Sequence, residues 1–282
     1  MSRNTLEYLN TIECHFKWRP EKDDGMVDNI PLLEKKLLHD INDNENIEIF
    51  ALTLLIYIFT EGDGKGKGTD FQKAKRYAQQ ARKQSKTNGE KVVTIANTMH
   101  LLKKCQKLEE LENLYIELKH YQDTLTVHDQ CTIKLIHAFA LSRFGLTAYK
   151  KALNIHESVI ENEEKNPDAH FGLGVMIGRI RRYTHGNVSK PQELELKTLQ
   201  KACELWNNSN AHSVVWYGYA KTQALLYDHK KEERRICEEE LQEVSAILDN
   251  AKRLADNRPG CSCIIYKWCA KGFKYLGHIR SL

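Results

Sequence analysis

The sequence predicts an all-α fold, an α-solenoid built from antiparallel helix pairs. Three observations carry that prediction. Apolar residues recur with helical periodicity along nearly the whole chain, and no stretch alternates as a half-buried strand does. The breaks between periodic stretches are short and carry helix-start and helix-stop residues. A figure of small, bulky and cationic residues around Arg143 returns 36 residues later around Arg179.

The elements follow in order. Periodicity covers 3–15, 29–42 and 45–60. The glycine-rich EGDGKGKGTD (61–70) is a loop, with Thr69 or Asp70 as N-cap of a helix over 69–86. KTNGE (86–90) is a turn, and helices over 89–105, 107–123 and 128–144 come next. Gly145 breaks the pattern before 147–163. KNPDAH (165–170) sets Pro167 at the start of a helix over 167–183, where its missing N–H does no harm. Stretches 191–206, 209–227 and 230–255 follow, and NRPGC (257–261) is a stop before 262–277. Together they read as one repeat domain over 1–282. Acidic N-terminal helices occupy 1–61, a repeat core 62–257, and a basic C-terminal helix 258–282.

Composition agrees with this organisation. The 282 residues are 41% hydrophobic and 28% charged, apolar enough for a packed core, and only 5 prolines and 15 glycines interrupt them. Charge is uneven: residues 1–61 hold 12 acids and 6 bases, whereas the whole chain is +4. The body past residue 61 is therefore basic, which suits a polyanionic partner as well as a solvated helix surface. The longest apolar run, IFALTLLIYIF (49–59), is far short of the roughly 20 residues that span a bilayer. No membrane partner is expected. The eight cysteines are dispersed, as reduced thiols are, and the expected location is the cytoplasm.

Catalytic and metal signatures are not expected either. GDGKGKGTD lacks the Gly-Lys-Ser/Thr ending of a phosphate-binding loop and follows no strand. Cys261, Cys263 and Cys269, with His278 nearby, sit in a segment that reads as an amphipathic helix with an unusual spacing for zinc. No nucleophile is placed beside a base. The expectation is a non-enzyme with no cofactor and no metal.

The repeat itself is most visible in HAFALSRFG-LTAYKKALNIHESVI (137–160), where Ala138, Leu141, Arg143, Gly145 and Ala152 are spaced as packing and turn residues. Advancing 36 residues gives Gly174, Ile177 and Arg179, and Gly218 in VWYGYAKTQALLYD (215–228) opens a later copy. This resembles the tetratricopeptide repeat, whose ordinary period is about 34 residues. In that repeat the first helix of each pair lines a concave groove. Two arginine forks converging there suit phosphate or carboxylate better than lysines do. The plainer reading of each arginine is an ion pair with an acid on an adjacent helix.

The motifs narrow further. ECHFKW (13–18), LLIY (54–57), LSRFGLTAYKKA (141–152) and NPDAHFGLGVMIGRI (166–180) together resemble the interferon-induced proteins with tetratricopeptide repeats. The resemblance keeps order and approximate spacing over most of the chain. It implies an innate antiviral effector that holds single-stranded RNA by a 5′-triphosphate or aberrantly capped end, and that assembles with other tetratricopeptide-repeat proteins. It implies phosphate contacts for Arg143 and Arg179, a pocket contact with the RNA end for Tyr149, and a tunnel position for Lys267. Where the family's second helix carries Thr and Gln, LLEKKLLHDI (32–41) offers Lys36, His39 and Asp40. The resemblance also implies either a short member with an open groove or the N-terminal part of a longer one. The competing class is a protein–protein adaptor whose arginines clamp acidic or carboxylate-bearing peptides.

Overall fold

The computed structural model describes residues 3–19, 30–43, 47–62, 68–187, 189–257 and 262–280, and all of its regular structure there is helical. The helices are α1 (Arg3–Leu9), α2 (His15–Trp18), α3 (Ile30–Asp43), α4 (Glu48–Glu61), α5 (Phe71–Gln84), α6 (Asn88–Lys104) and α7 (Leu108–Gln122). They continue with α8 (Val127–Leu141), α9 (Leu146–Asn162), α10 (Pro167–His185), α11 (Glu193–Leu205), α12 (Ala211–Lys231), α13 (Glu238–Asp256) and α14 (Ser262–Arg280). The chain divides into two compact units, Met1–Ile155 and His156–Leu282.

The cap expected at Asp70 and the helix start expected at Pro167 are in place, and the structure adds two further caps. Asp70 accepts from the amides of Gln72 and Lys73, Thr87 and Glu90 form a capping box, and Asn166 caps α10 with Pro167 in its first turn. Residues 63–67 of the expected glycine loop, and 258–261 of the expected stop with Cys261, lie outside the described residues.

Two boundaries differ from expectation. The expected helix over 3–15 stops at Leu9, and α2 begins only at His15: the Thr11 hydroxyl donates to the Tyr8 carbonyl at 2.7 Å and takes the place of a helical amide. The stretch expected as one helix from 230 belongs to α12 up to Lys231, and α13 begins only at Glu238. Between them the amides of Glu232 and Arg234 both donate to the Asp228 carbonyl, and Glu233 sits at φ 49, which no helix tolerates.

In the first unit α4 is the axis. Its residues from Ala51 to Thr60 are all buried, as a helix surrounded by others must be. It packs on α2, α3, α5, α6 and α8. Asn97 of α6 is the polar rivet: its Oδ1 accepts from the His15 amide, and its Nδ2 lies 3.0 Å from the Thr53 carbonyl and 2.9 Å from His15 Nδ1. One side chain thereby joins α2, α4 and α6. Around it, Phe16 stacks on His100 and Trp18 on His137, each at 4.4 Å between centroids. The Cys-His-Phe-x-Trp motif is thus a docking plug for α2.

In the second unit α10 packs on α11, α11 on α12, α12 on α13, and α14 on both α12 and α13. The small residues of the repeat allow this closeness. A Cβ at Gly174 would lie 2.7 Å from Leu199, and one at Gly218 2.9 Å from Ile247. The apolar centre is Val214, Val215, Ala251, Ile265 and Cys269, all buried. No described helix is long and apolar enough to cross a membrane.

Candidate functional site

Arg143 follows α8 directly: Ser142 is the C-cap, and the Arg143 amide bonds the Ala140 carbonyl before Gly145 turns the chain at φ 86. The side chain is held on three sides. Its guanidinium lies over the Phe139 ring at 4.2 Å. Its Nη2 is 3.0 Å from Oδ2 of Asp40 on α3, and each side chain of that pair is 18% exposed. Tyr149, half-buried on α9, is near enough to act on its charge.

Burial pulls the Arg143 pKa below the ordinary arginine value, and the neighbouring Asp40 and Tyr149 push it back up. The fork is only partly used. Arg143 Nε is buried and makes no hydrogen bond among the described residues, and Asp40 Oδ2 meets the guanidinium at ion-pair distance without hydrogen-bond alignment. A desolvated cation with an unspent donor favours a further anion.

Arg143 does have a carboxylate neighbour on another helix, the contact the plainer reading expects. Arg179 does not repeat its local setting. It stands inside α10, six residues before the helix ends at His185, half-buried, whereas Arg143 stands past the end of α8. The 36-residue spacing joins two different backbone positions. Arg143 and Tyr149 belong to the first unit, Arg179 and Lys267 to the second. Lys267 is exposed on α14, one residue before Trp268.

Two features of the second unit were missed in the sequence. The first is Arg181, two residues past Arg179 and 2% exposed. Its Nε and Nη2 donate to both carboxylate oxygens of Glu195 at 2.8 and 3.1 Å, its Nη1 to the Ser189 carbonyl, and its Nη2 also to Gln223 Oε1. The second is a seam of aromatics and cations. Arg182 lies over Trp216 at 5.5 Å, Trp216 meets Trp268 at 4.8 Å, and Lys271 covers Trp268 at 4.4 Å. Tyr219 touches Trp268 at 4.6 Å and stacks near Tyr275 at 6.0 Å. The i, i+3 pair Trp216/Tyr219 and the series Trp268, Lys271, Tyr275 on one helix face were the available signal. Among the described residues no group of His, Cys, Asp and Glu could hold a metal ion.

No protein-family profile and no curated protein matches the sequence. Solved structures do. The fold is that of the IFIT1 tetratricopeptide-repeat solenoid. Human IFIT1 dimer with PPP-AAAA is 17% identical, with a TM-score of 0.63 over 97% of this chain and 60% of that one. The human IFIT1 dimer with m7Gppp-AAAA gives 17%, 0.60, 97% and 61%. An IFIT1 monomeric mutant with Gppp-AAAA gives 16%, 0.62, 98% and 59%. This chain thus spans about three fifths of the length of the IFIT1 chains it matches.

Proposed function

We propose that this chain binds single-stranded RNA by a 5′-phosphorylated end, without catalysis, and acts in the cytoplasm as an innate antiviral effector that sequesters such RNA. Arg143, Tyr149, Arg179 and Lys267 are the proposed contacts. The supporting observation at residue level is the Arg143 site: a largely desolvated guanidinium whose buried Nε makes no hydrogen bond, an aromatic against it, and a tyrosine beside it. The fold supports the choice of ligand, since IFIT1 carries triphosphate and capped RNA ends on the same architecture. Charge-assisted contacts to phosphate need no base readout, which fits recognition of an end rather than of a sequence. Assembly with other repeat proteins is part of the same reading.

Asp40 makes this site distinctive. Its carboxylate already faces the guanidinium, so an incoming phosphate has to compete with that anion for the fork. Removing that charge while keeping the shape frees the fork. Asp40→Asn is expected to tighten binding of a 5′-triphosphate oligonucleotide about tenfold, equivalent to about 1.4 kcal/mol. Fluorescence anisotropy titration measures this. Unchanged or weaker binding would mean that the pair is only structural. The adaptor reading draws on the same contact, since Arg143 demonstrably takes a carboxylate. It gains if an acidic peptide binds the chain and the triphosphate RNA fails to displace it.

A further inference from the structure

We propose that the second unit carries a separate subsite for a phosphate group, in a pocket beside the C-terminal end of α12. The pocket has a volume of about 150 Å³ and is lined by Asn187, Gln223, Tyr227, Lys230, Lys231 and Tyr275, among others. That is room for a phosphate and part of a sugar, and too little for a whole nucleotide.

The charges around it are sorted in a telling way. Lys190 pairs with Asp228 and Glu232, and Arg234 pairs with Asp228 and Glu240. The nearby carboxylates are thus consumed by other cations. Lys230 and Lys231 are exposed and have no ion pair among the described residues. Lysines in the last turn of a helix do balance its dipole, but that role needs no cavity next to them.

The wall opposite is rigid. Gln223 has both ends fixed, its Oε1 accepting from Arg181 Nη2 and its Nε2 donating to Tyr219 Oη at 3.2 Å and the Asn187 carbonyl at 3.4 Å. Behind it stands the buried Arg181–Glu195 pair. The ligand would therefore meet mobile point charges on one side and a fixed, already hydrogen-bonded wall on the other. Lysine ammoniums, the Asn187 amide and tyrosine hydroxyls supply donors and can serve a single phosphate without fork geometry.

Two sources offer such a group: a phosphodiester of a bound RNA strand, or a free phosphate. The strand is the source we assign, and this part rests on the RNA reading above. Arg179 lies on α10 only about 9 Å along the axis from the helix end at His185, taking 1.5 Å per residue, and Asn187 follows after Gly186. The aromatic seam leads from Arg182 through Trp216 and Tyr219 to Tyr275, which lines the pocket. In this proposal a strand held at Arg179 passes Arg182 and places a following phosphate at Lys230 and Lys231.

The test uses the full chain, its Lys230→Gln/Lys231→Gln double variant, and the charge-matched Lys197→Gln/Lys201→Gln pair on α11. Each is titrated with 5′-hydroxyl and 5′-triphosphate oligoadenylate of equal length over a range of salt. The double variant is expected to weaken both RNAs about tenfold and to flatten the salt slope by about 0.7 per phosphate lost. The triphosphate-to-hydroxyl ratio stays as in the unaltered chain, and the α11 pair binds normally. Should the unaltered chain fail to prefer triphosphate, end recognition falls while the pocket is still judged by the hydroxyl RNA. Inorganic phosphate that shifts tryptophan emission, an effect lost in the double variant whose RNA affinity is unchanged, assigns the same pocket to a free phosphate. An unchanged affinity for both RNAs and for phosphate, or an equal loss in the α11 pair, overturns the proposal.

Discussion

Arg181→Ala is expected to destabilise the second unit by about 3–5 kcal/mol, the usual result of leaving one half of a buried pair behind. Glu195, whose side chain is 3% exposed, loses both of its guanidinium bonds and remains as an isolated carboxylate beside Gly178, where a Cβ would lie 2.6 Å from its oxygen. Gln223 and the Ser189 carbonyl lose a donor at the same time. Tryptophan emission under urea reports the event well, because Trp206, Trp216 and Trp268 all lie in this unit and only Trp18 in the other. With a slope near 1–3 kcal/mol per molar urea, the midpoint falls by roughly 2 M. Replacing both charges by apolar groups, as Arg181→Met/Glu195→Leu, is expected to restore most of the loss, because no buried charge is then left unpaired. A midpoint unmoved by Arg181→Ala would show that the pair contributes nothing.

Mild acid is expected to weaken the first unit more than the second. His15 is buried with its Nε2 unsatisfied, and burial pulls its pKa down to about 3; His100 is pulled down to about 4 by burial and nearby cations. Their folded values lie below the ordinary 6.5, so the unfolded chain takes up protons that the folded chain refuses. Stability is therefore full above pH 6.5 and is lost as pH falls toward 4 and then 3. Each histidine contributes about 1.4 kcal/mol per pH unit in that window, about 4 kcal/mol for the two at pH 5.

In the second unit His156, depressed to about 4 by burial, acts in the same direction. Asp168 opposes it. Burial raises its carboxyl to about 6, so it takes a proton in the folded state and adds stability as pH falls from 6 toward 3.8. Urea unfolding by circular dichroism at pH 7 and pH 5 should resolve the earlier loss of the first unit. Equal shifts for both units, or none, would contradict this balance.

Much of the fold was legible because helix signals are local. Asp70 and Pro167 announce helix starts from a few neighbouring residues, and Gly174 and Gly218 mark close packing through their spacing. The misses were of another kind. The end of α1 depended on one Thr11 hydroxyl choosing a carbonyl, and the α12–α13 break on Asp228 collecting two amides. Neither choice is encoded in apolar periodicity.

The site was less legible still. Arg143 looked like an available fork, yet its carboxylate partner Asp40 is on α3, and a partner so distant in sequence has no local signature. In GRIRR the three arginines differ only by which neighbour each faces. Packing against α11 buries Arg181 on Glu195, while Arg182 reaches Trp216. The aromatic seam was written as ordinary helical spacing on α12 and α14, and only the packing of those two helices turned it into one surface.

The most direct test of the central claim is a competition measurement on the purified chain, comparing short single-stranded RNA with a 5′-triphosphate against the same RNA with a 5′-hydroxyl, alongside Arg143→Ala and Arg179→Ala. A triphosphate preference of about tenfold or more is expected, abolished by each substitution, since a charge-assisted contact contributes about 1.5–3 kcal/mol. Equal weak binding of both RNAs, unaltered by either substitution, would contradict it and leave Arg143 as the structural partner of Asp40.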